Sequence, residues 1–301
     1  MGIALLAATA MYGIAVAQSR PESLVRAWTL IGGGMVAVGS LACLASVLVR
    51  FLRWQCLLQA LGTTPPLLTS LRIHLAGIAL SWTPGKLGET LRSALLRPHG
   101  VPIPDSLAAF LADRLSDVIG VAALGLLMAA LLSDAAPGFM GLLAIGAALS
   151  LVFAAWIRRR GLPARLQAAS LAQPLLRWAD LWTPPRAVAS TLASVVAYGL
   201  QALVFASFAR AVSPDLSWAF CVSAFAGALF VGAASMVPAG LGAVEATLAY
   251  ALLSQGVAWS DAVAVVLLSR LTSLWLPCGA GVIALLGFMR RPVPPLPTAL
   301  S

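Results

Sequence analysis

The strongest constraint on this chain is a series of apolar stretches on the scale of the roughly 17 to 25 residues that carry a helix across a hydrocarbon core of about 30 Å. They lie at Ile3–Ala17, Trp28–Val49, Ser106–Leu132, Gly138–Ile157, Ala187–Ala209 and Trp259–Met289. Of the 301 residues 60% are hydrophobic and 10% charged, against about 25% charged in a soluble domain. The chain is therefore expected to be an all-α integral membrane protein, one polytopic domain over residues 1–301. Two further apolar stretches, Leu75–Leu96 and Ala219–Ser254, are interrupted by Pro and Gly and each carries a Glu. Backbone that breaks at membrane depth is tolerated where it is covered by protein or lines a cavity. These two stretches predict re-entrant hairpins, beside about six full crossings.

The first stretch follows no Lys or Arg, so it lacks the basic segment of a signal peptide and reads as a retained helix, although Ala15-Val16-Ala17 resembles a cleavage site. The formal net charge of +9 does not point to nucleic acid, because in a membrane chain the position of each Lys and Arg matters more than their sum. Fourteen of the nineteen fall in three regions: from Arg50 to Arg97, from Arg158 to Arg186, and at Arg290 and Arg291. Placing those regions in the cytoplasm leaves Arg20, Arg26 and Arg210 outside, with Arg114 and Arg270 inside helices, and puts both termini in the cytoplasm. Residues 158–186, with Trp178 and Trp182, predict a basic interfacial segment drawn to anionic headgroups.

The two halves repeat. Pro84-Gly85-Lys86-Leu87-Gly88-Glu89, Gly100-Val101 with Asp105, and Arg114-Leu115 are echoed by Pro238-Ala239-Gly240-Leu241-Gly242 with Glu245, Gly256-Val257 with Asp261, and Arg270-Leu271. From Glu89 to Arg114 and from Glu245 to Arg270 the spacing is 25 residues, and the offset between copies is 156 from the Glu onward, with a two-residue insertion between Pro and Glu in the second copy. The expected repeats, about 28–134 and 187–289, run in opposite senses through the membrane, as in many secondary transporters whose site lies at the repeat interface.

An ionisable residue at the centre of a spanning helix costs about 2.5–3.5 kcal/mol on insertion scales, so it needs a partner, water or a task. Glu89, Asp113, Arg114, Asp117, Glu245 and Arg270 are the candidates, with Lys86 and Arg92 making the first hairpin more positive. The spacing puts Asp113, Arg114 and Asp117 in one helical sector. One reading pairs Glu89 with Arg114 and Glu245 with Arg270 as structural pins. The other has the arginines bind a phosphate, for which the guanidinium fork is shaped, and the glutamates a cationic group or a proton. Pro84, Gly85, Gly88, Pro238, Gly240 and Gly242 are the expected breaks.

Cys43, Cys56, Cys221 and Cys278 lie far apart and read as small core hydrophobes. His74 and His99 have no paired spacing, so no catalytic, metal or cofactor site is expected. No G-x-x-x-x-G-K-[ST] loop is present, which argues against ATP-driven transport.

The run Trp82-Thr83-Pro84-Gly85-Lys86-Leu87-Gly88-Glu89 with Arg92, then Asp113-Arg114 with Asp117, Pro238-Ala239-Gly240-Leu241-Gly242 with Glu245, and Arg270 together resemble the lysylphosphatidylglycerol synthase transmembrane family of flippase-like domains. The resemblance covers roughly Trp28–Leu286. Members often carry Glu-Arg where Asp113-Arg114 stands and Pro-Gly-Gly where Pro238-Ala239-Gly240 stands. The resemblance implies a bacterial inner-membrane protein that moves a lipid, with an anionic phosphate headgroup, between leaflets, alongside enzymes of lipid synthesis such as hopanoid or glycolipid pathways. The relatives' cytosolic transferase domain has no room here, so lipid synthesis is not expected to carry over. Two other classes fit the same residues: a lipid-linked transferase using buried carboxylates as general base, and a non-transporting scaffold of a lipid-synthesis complex.

Overall fold

The computed structural model describes residues 21–80, 91–131, 136–167 and 169–289. The first apolar stretch, and the hairpin residues Pro84, Gly85, Lys86, Gly88 and Glu89, lie outside the described residues. Among those described, all regular structure is helical: α1 Pro21–Ala60, α2 Leu67–Ala79, α3 Leu91–Leu96, α4 Ile103–Ala130, α5 Ala136–Arg160, α6 Ala164–Gln167, α7 Ala172–Leu181, α8 Pro184–Val212, α9 Trp218–Ala234, α10 Ala243–Ser254, α11 Trp259–Arg270 and α12 Leu276–Met289.

Among the described residues, four segments are long and apolar enough to cross a membrane: Leu24–Ala60, Gly141–Arg160, Pro184–Val212 and Trp259–Phe288. Helix α4 spans about 42 Å at 1.5 Å per residue but carries Asp113, Arg114 and Asp117 near its middle. Large apolar side chains such as Leu41, Leu142, Leu149 and Leu192 stand exposed along these helices, a surface that water would not tolerate at this extent and lipid does. The chain is a multi-pass membrane protein.

The helix ends follow local chemistry. Pro184 and Pro185 open α8, where the missing amide is no loss, and the Ser217 hydroxyl accepts from the Phe220 amide to cap α9. Helix α1 bends at Gly32, whose φ of 73° suits glycine. Between α11 and α12 the chain widens into a π-turn at Leu271–Trp275. Pro277 follows; its ring removes one donor and crowds the carbonyl four residues back, at Ser273, and the wider turn accommodates it.

The packing crosses the two halves of the chain. Helix α1 lies along α8, α4 contacts both α8 and α9, and α2 packs on α12, while α11 meets α1 and α8. Small residues allow the approach. A Cβ on Gly281 of α12 would stand 2.4 Å from the Leu75 carbonyl oxygen of α2, and one on Gly120 of α4 would stand 2.5 Å from the Ser194 Cβ of α8. Buried apolar residues form two main groups, one around Phe205, Phe208 and Phe225, the other around Trp54, Trp178 and Trp182.

The second broken stretch is helix, break, helix: α9 ends before a short 3-10 turn at Pro238–Gly240, and α10 starts at Ala243 and packs back on α9. In residues 158–186, α7 packs on α4 and α5. Trp178 and Trp182 turn into the protein rather than toward an interface, and the Trp182 Nε1 donates to Ser150 Oγ at 3.0 Å. Arg159, Arg160 and Arg177 remain exposed.

A layered charge cluster on an amphipathic cavity

The charges of α4 are held by residues of two other helices. Asp113, Arg114 and Asp117 share one sector, as their spacing predicts, and meet Arg50 and Arg53 of α1 and Ser194 and Tyr198 of α8. The close approach at Gly120 brings Ser194 up to α4.

The cluster has an inner and an outer layer. Inside, Arg53 and Asp113 expose only 2% and 1% of their side chains. The Arg53 Nε donates to Asp113 Oδ1 at 2.9 Å; its Nη2 reaches the same oxygen and its Nη1 the Ser194 hydroxyl. Arg53 Nη1 also stands 2.8 Å from Asp117 Oδ1. Buried charges survive only when paired and hydrogen-bonded on several sides, and this pair is.

The outer layer reaches a cavity of about 400 Å³ lined by Arg50, Arg114, Asp117 and Tyr198. There Arg50 and Arg114 expose 17% and 19% of their side chains and Asp117 9%. Arg114 Nη2 contacts Asp113 Oδ2 at 2.7 Å and Asp117 Oδ2 at 3.0 Å. Tyr198 Oη and Ser194 Oγ donate to the two Asp117 oxygens at 3.1 Å each. Arg50 approaches Asp117 Oδ2 no closer than 3.9 Å, and its guanidinium lies 5.5 Å from the centre of the Tyr198 ring.

Across the same cavity stands Arg270, next to the helix break. Its Nε donates to Glu245 Oε1 at 2.7 Å and its Nη2 to the Ala239 carbonyl at 3.1 Å. The expected Glu245–Arg270 pin is present. Glu245 lies in the first turn of α10, where a carboxylate suits the helix N-terminus, and its Oε2 accepts the Gly242 amide at 2.7 Å. The pair thus ties together both sides of the break. Gly240 and Gly242 have φ of 66° and 84°, and the non-glycine residues Met236 and Ala239 are also left-handed, at 54°. Val47, Val121, Leu229, Phe230 and Leu274 supply apolar wall, and Ser273 lines it as well. One cavity therefore joins guanidinium groups, suited to bidentate capture of phosphate or carboxylate, to a surface that suits hydrocarbon. Its size is within the usual range of small-molecule sites, about 300–1,000 Å³.

Arg92 is not among the lining residues. It is buried, its guanidinium 4.7 Å from the centre of the Trp54 ring and its Nη1 3.3 Å from His74 Nδ1. Gly77 makes the space for it: a Cβ there would meet Arg92 Nε at 2.6 Å. Glu89, the expected partner of Arg114, and Lys86 lie outside the described residues.

Sequence reasoning counts Arg50 and Arg53 as topological charge and passes over Ser194 and Tyr198. The signal available was the three-residue spacing of the two arginines on a helix that continues past Val49 to Ala60. No curated protein matches the chain. The sequence model of the lysylphosphatidylglycerol synthase TM region matches residues 1–281. With nearly the whole chain matched, this protein belongs to the lysylphosphatidylglycerol synthase TM region family.

Proposed function

We propose that this protein is a lipid flippase or transporter of the bacterial inner membrane, moving a lipid with an anionic headgroup between leaflets, and not an enzyme. The carrying observation is the amphipathic cavity, whose wall combines Arg50, Arg114 and Arg270 with many apolar side chains. A headgroup phosphate suits the guanidinium forks and acyl chains suit the remaining wall.

In this reading the halves are inverted repeats and the Pro- and Gly-rich breaks are tips of re-entrant hairpins. The crossed packing supports it: α2 of the first half lies on α12 of the second, as α9 of the second lies on α4 of the first. At the offset of 156 residues α4 corresponds to α11–α12, so the two contacts are counterparts. The cytoplasm holds both termini and the Arg158–Arg186 region, in keeping with the charge bias. Lipid-synthesis enzymes are the natural suppliers or consumers of such a cargo.

The test is transbilayer movement of fluorescent anionic, zwitterionic and aminoacylated phospholipids in liposomes holding the purified protein. Wild type should move at least one of them, and Arg114→Gln or Arg270→Ala, if folded, should slow it at least ten-fold. Movement of none by wild type, or undiminished movement by both variants, would overturn the proposal.

A further inference from the structure

The outer layer of the cluster is already occupied by an anion of the protein's own. Asp117 Oδ2 faces Arg114 Nη2 at 3.0 Å and Arg50 Nη2 at 3.9 Å, and all three residues line the cavity. We propose that Asp117 is a resident counter-anion that holds the cavity arginines when the site is empty and yields them to the anionic oxygens of an incoming ligand, phosphate or carboxylate, so that capture and release are an exchange of partners. This rests on the reading of the cavity as a headgroup site.

Three features separate Asp117 from Asp113, which is bound too firmly to exchange. First, Asp113 is held by Arg53 from two nitrogens and by Arg114, with almost no exposure. Asp117 is at the cavity wall. Second, Asp117 keeps other partners after giving up the cavity arginines: Ser194 Oγ and Tyr198 Oη donate to its two oxygens, and Arg53 Nη1 stands 2.8 Å away. Its charge is therefore not stranded, which is the usual penalty for breaking a buried pair. Third, Arg50 is loosely engaged. Its contact with Asp117 is longer than a hydrogen bond, and its Nε has no hydrogen-bond partner among the described residues. A guanidinium carries five N–H donors, so Arg50 gains direct bonds when a ligand oxygen replaces Asp117.

An exchange of this kind trades affinity for release. Without Asp117, Arg50 would meet no carboxylate at the cavity wall and Arg114 only that of Asp113, and a bound phosphate would leave more slowly. Asp117 lowers the net gain on binding and refills the site as the ligand leaves. Removing its charge should therefore tighten binding and slow transport. Lengthening its side chain, which closes the 3.9 Å gap to Arg50, should weaken binding.

The experiment is calorimetric titration of the detergent-purified full chain with short-chain phosphatidylglycerol and, separately, with inorganic phosphate. Short-chain diacylglycerol is the uncharged control. Asp117→Asn should bind phosphatidylglycerol at least ten-fold more tightly than wild type and move lipid more slowly in liposomes. Asp117→Glu, which keeps the charge balance should the asparagine variant not fold, should bind several-fold more weakly. Tightening for phosphatidylglycerol alone assigns the exchange to a lipid headgroup; tightening for inorganic phosphate as well assigns it to the phosphate group itself, and both support the exchange. If wild type binds phosphatidylglycerol but Asp117→Asn binds no more tightly, or Asp117→Glu no more weakly, the counter-anion role is wrong while the headgroup site stands. If neither wild type nor Asp117→Asn binds either anion above the diacylglycerol control, the headgroup site falls and the exchange with it.

Discussion

Asp113 and Asp117 are one helical turn apart on α4, yet they have different neighbours and should respond differently to substitution. Removing the inner pair is the more damaging change. Arg53→Ala strips Asp113 of its two-point partner in a site 1% exposed, and breaking such a pair costs about 3–5 kcal/mol; a sharp fall in the detergent melting temperature is expected. Arg50→Ala removes the looser contact with Asp117 and the guanidinium beside the Tyr198 ring and should cost far less melting temperature than Arg53→Ala while slowing lipid movement. Equal stability losses for the two variants would refute the layering. Asp113, Arg114, Asp117, Glu245 and Arg270 were legible in the sequence because a charge inside an apolar run stands out by the energy it costs. Arg50 and Arg53 were not, since an arginine at the end of an apolar run is what topology alone would place there. Ser194 and Tyr198 carry no charge and sit in α8 like any tolerated polar residue. Arg92 was read as positive charge of the first hairpin; its burial against Trp54 and His74 was not legible, because these are ordinary apolar-run residues until the fold brings them together.

At the level of elements, most boundaries followed from apolar length and from Pro and Gly. Helix α8 extends the expected span by three residues at each end, and the break at Pro238–Gly240 falls within the Pro- and Gly-rich segment. The inward turn of Trp178 and Trp182 was hidden, because a tryptophan near basic residues suits an interface and a core equally well. Two substitutions test the element contacts. Gly281→Leu would drive a side chain into the Leu75 carbonyl of α2, and overpacking of this kind costs about 1–3 kcal/mol; a lower melting temperature is expected. Ala239→Gly removes a left-handed alanine at the break, a conformation costing about 1–2 kcal/mol, partly offset by the added freedom of glycine in the unfolded chain. A small rise in melting temperature is expected, and a fall would show that the alanine methyl contributes more packing than its backbone loses.

At the scale of the whole molecule, charge bias predicts which loops face which side. In a cysteine-free background, a membrane-impermeant thiol reagent applied from outside should label Asp215→Cys, beyond α8, and not Ser170→Cys, in the basic region; the reverse pattern would invert the topology. The crossed packing leads further. Since α2 rides on α12 and α9 rides on α4, the two halves of the sequence are not two halves of the object; they are clasped, each gripping a helix of the other. The pairs α2 with α12 and α4 with α9 are each assembled from distant parts of the chain. A gene cut between α6 and α7 should yield two fragments that are degraded when made separately and persist when made together, because neither fragment holds both helices of either pair.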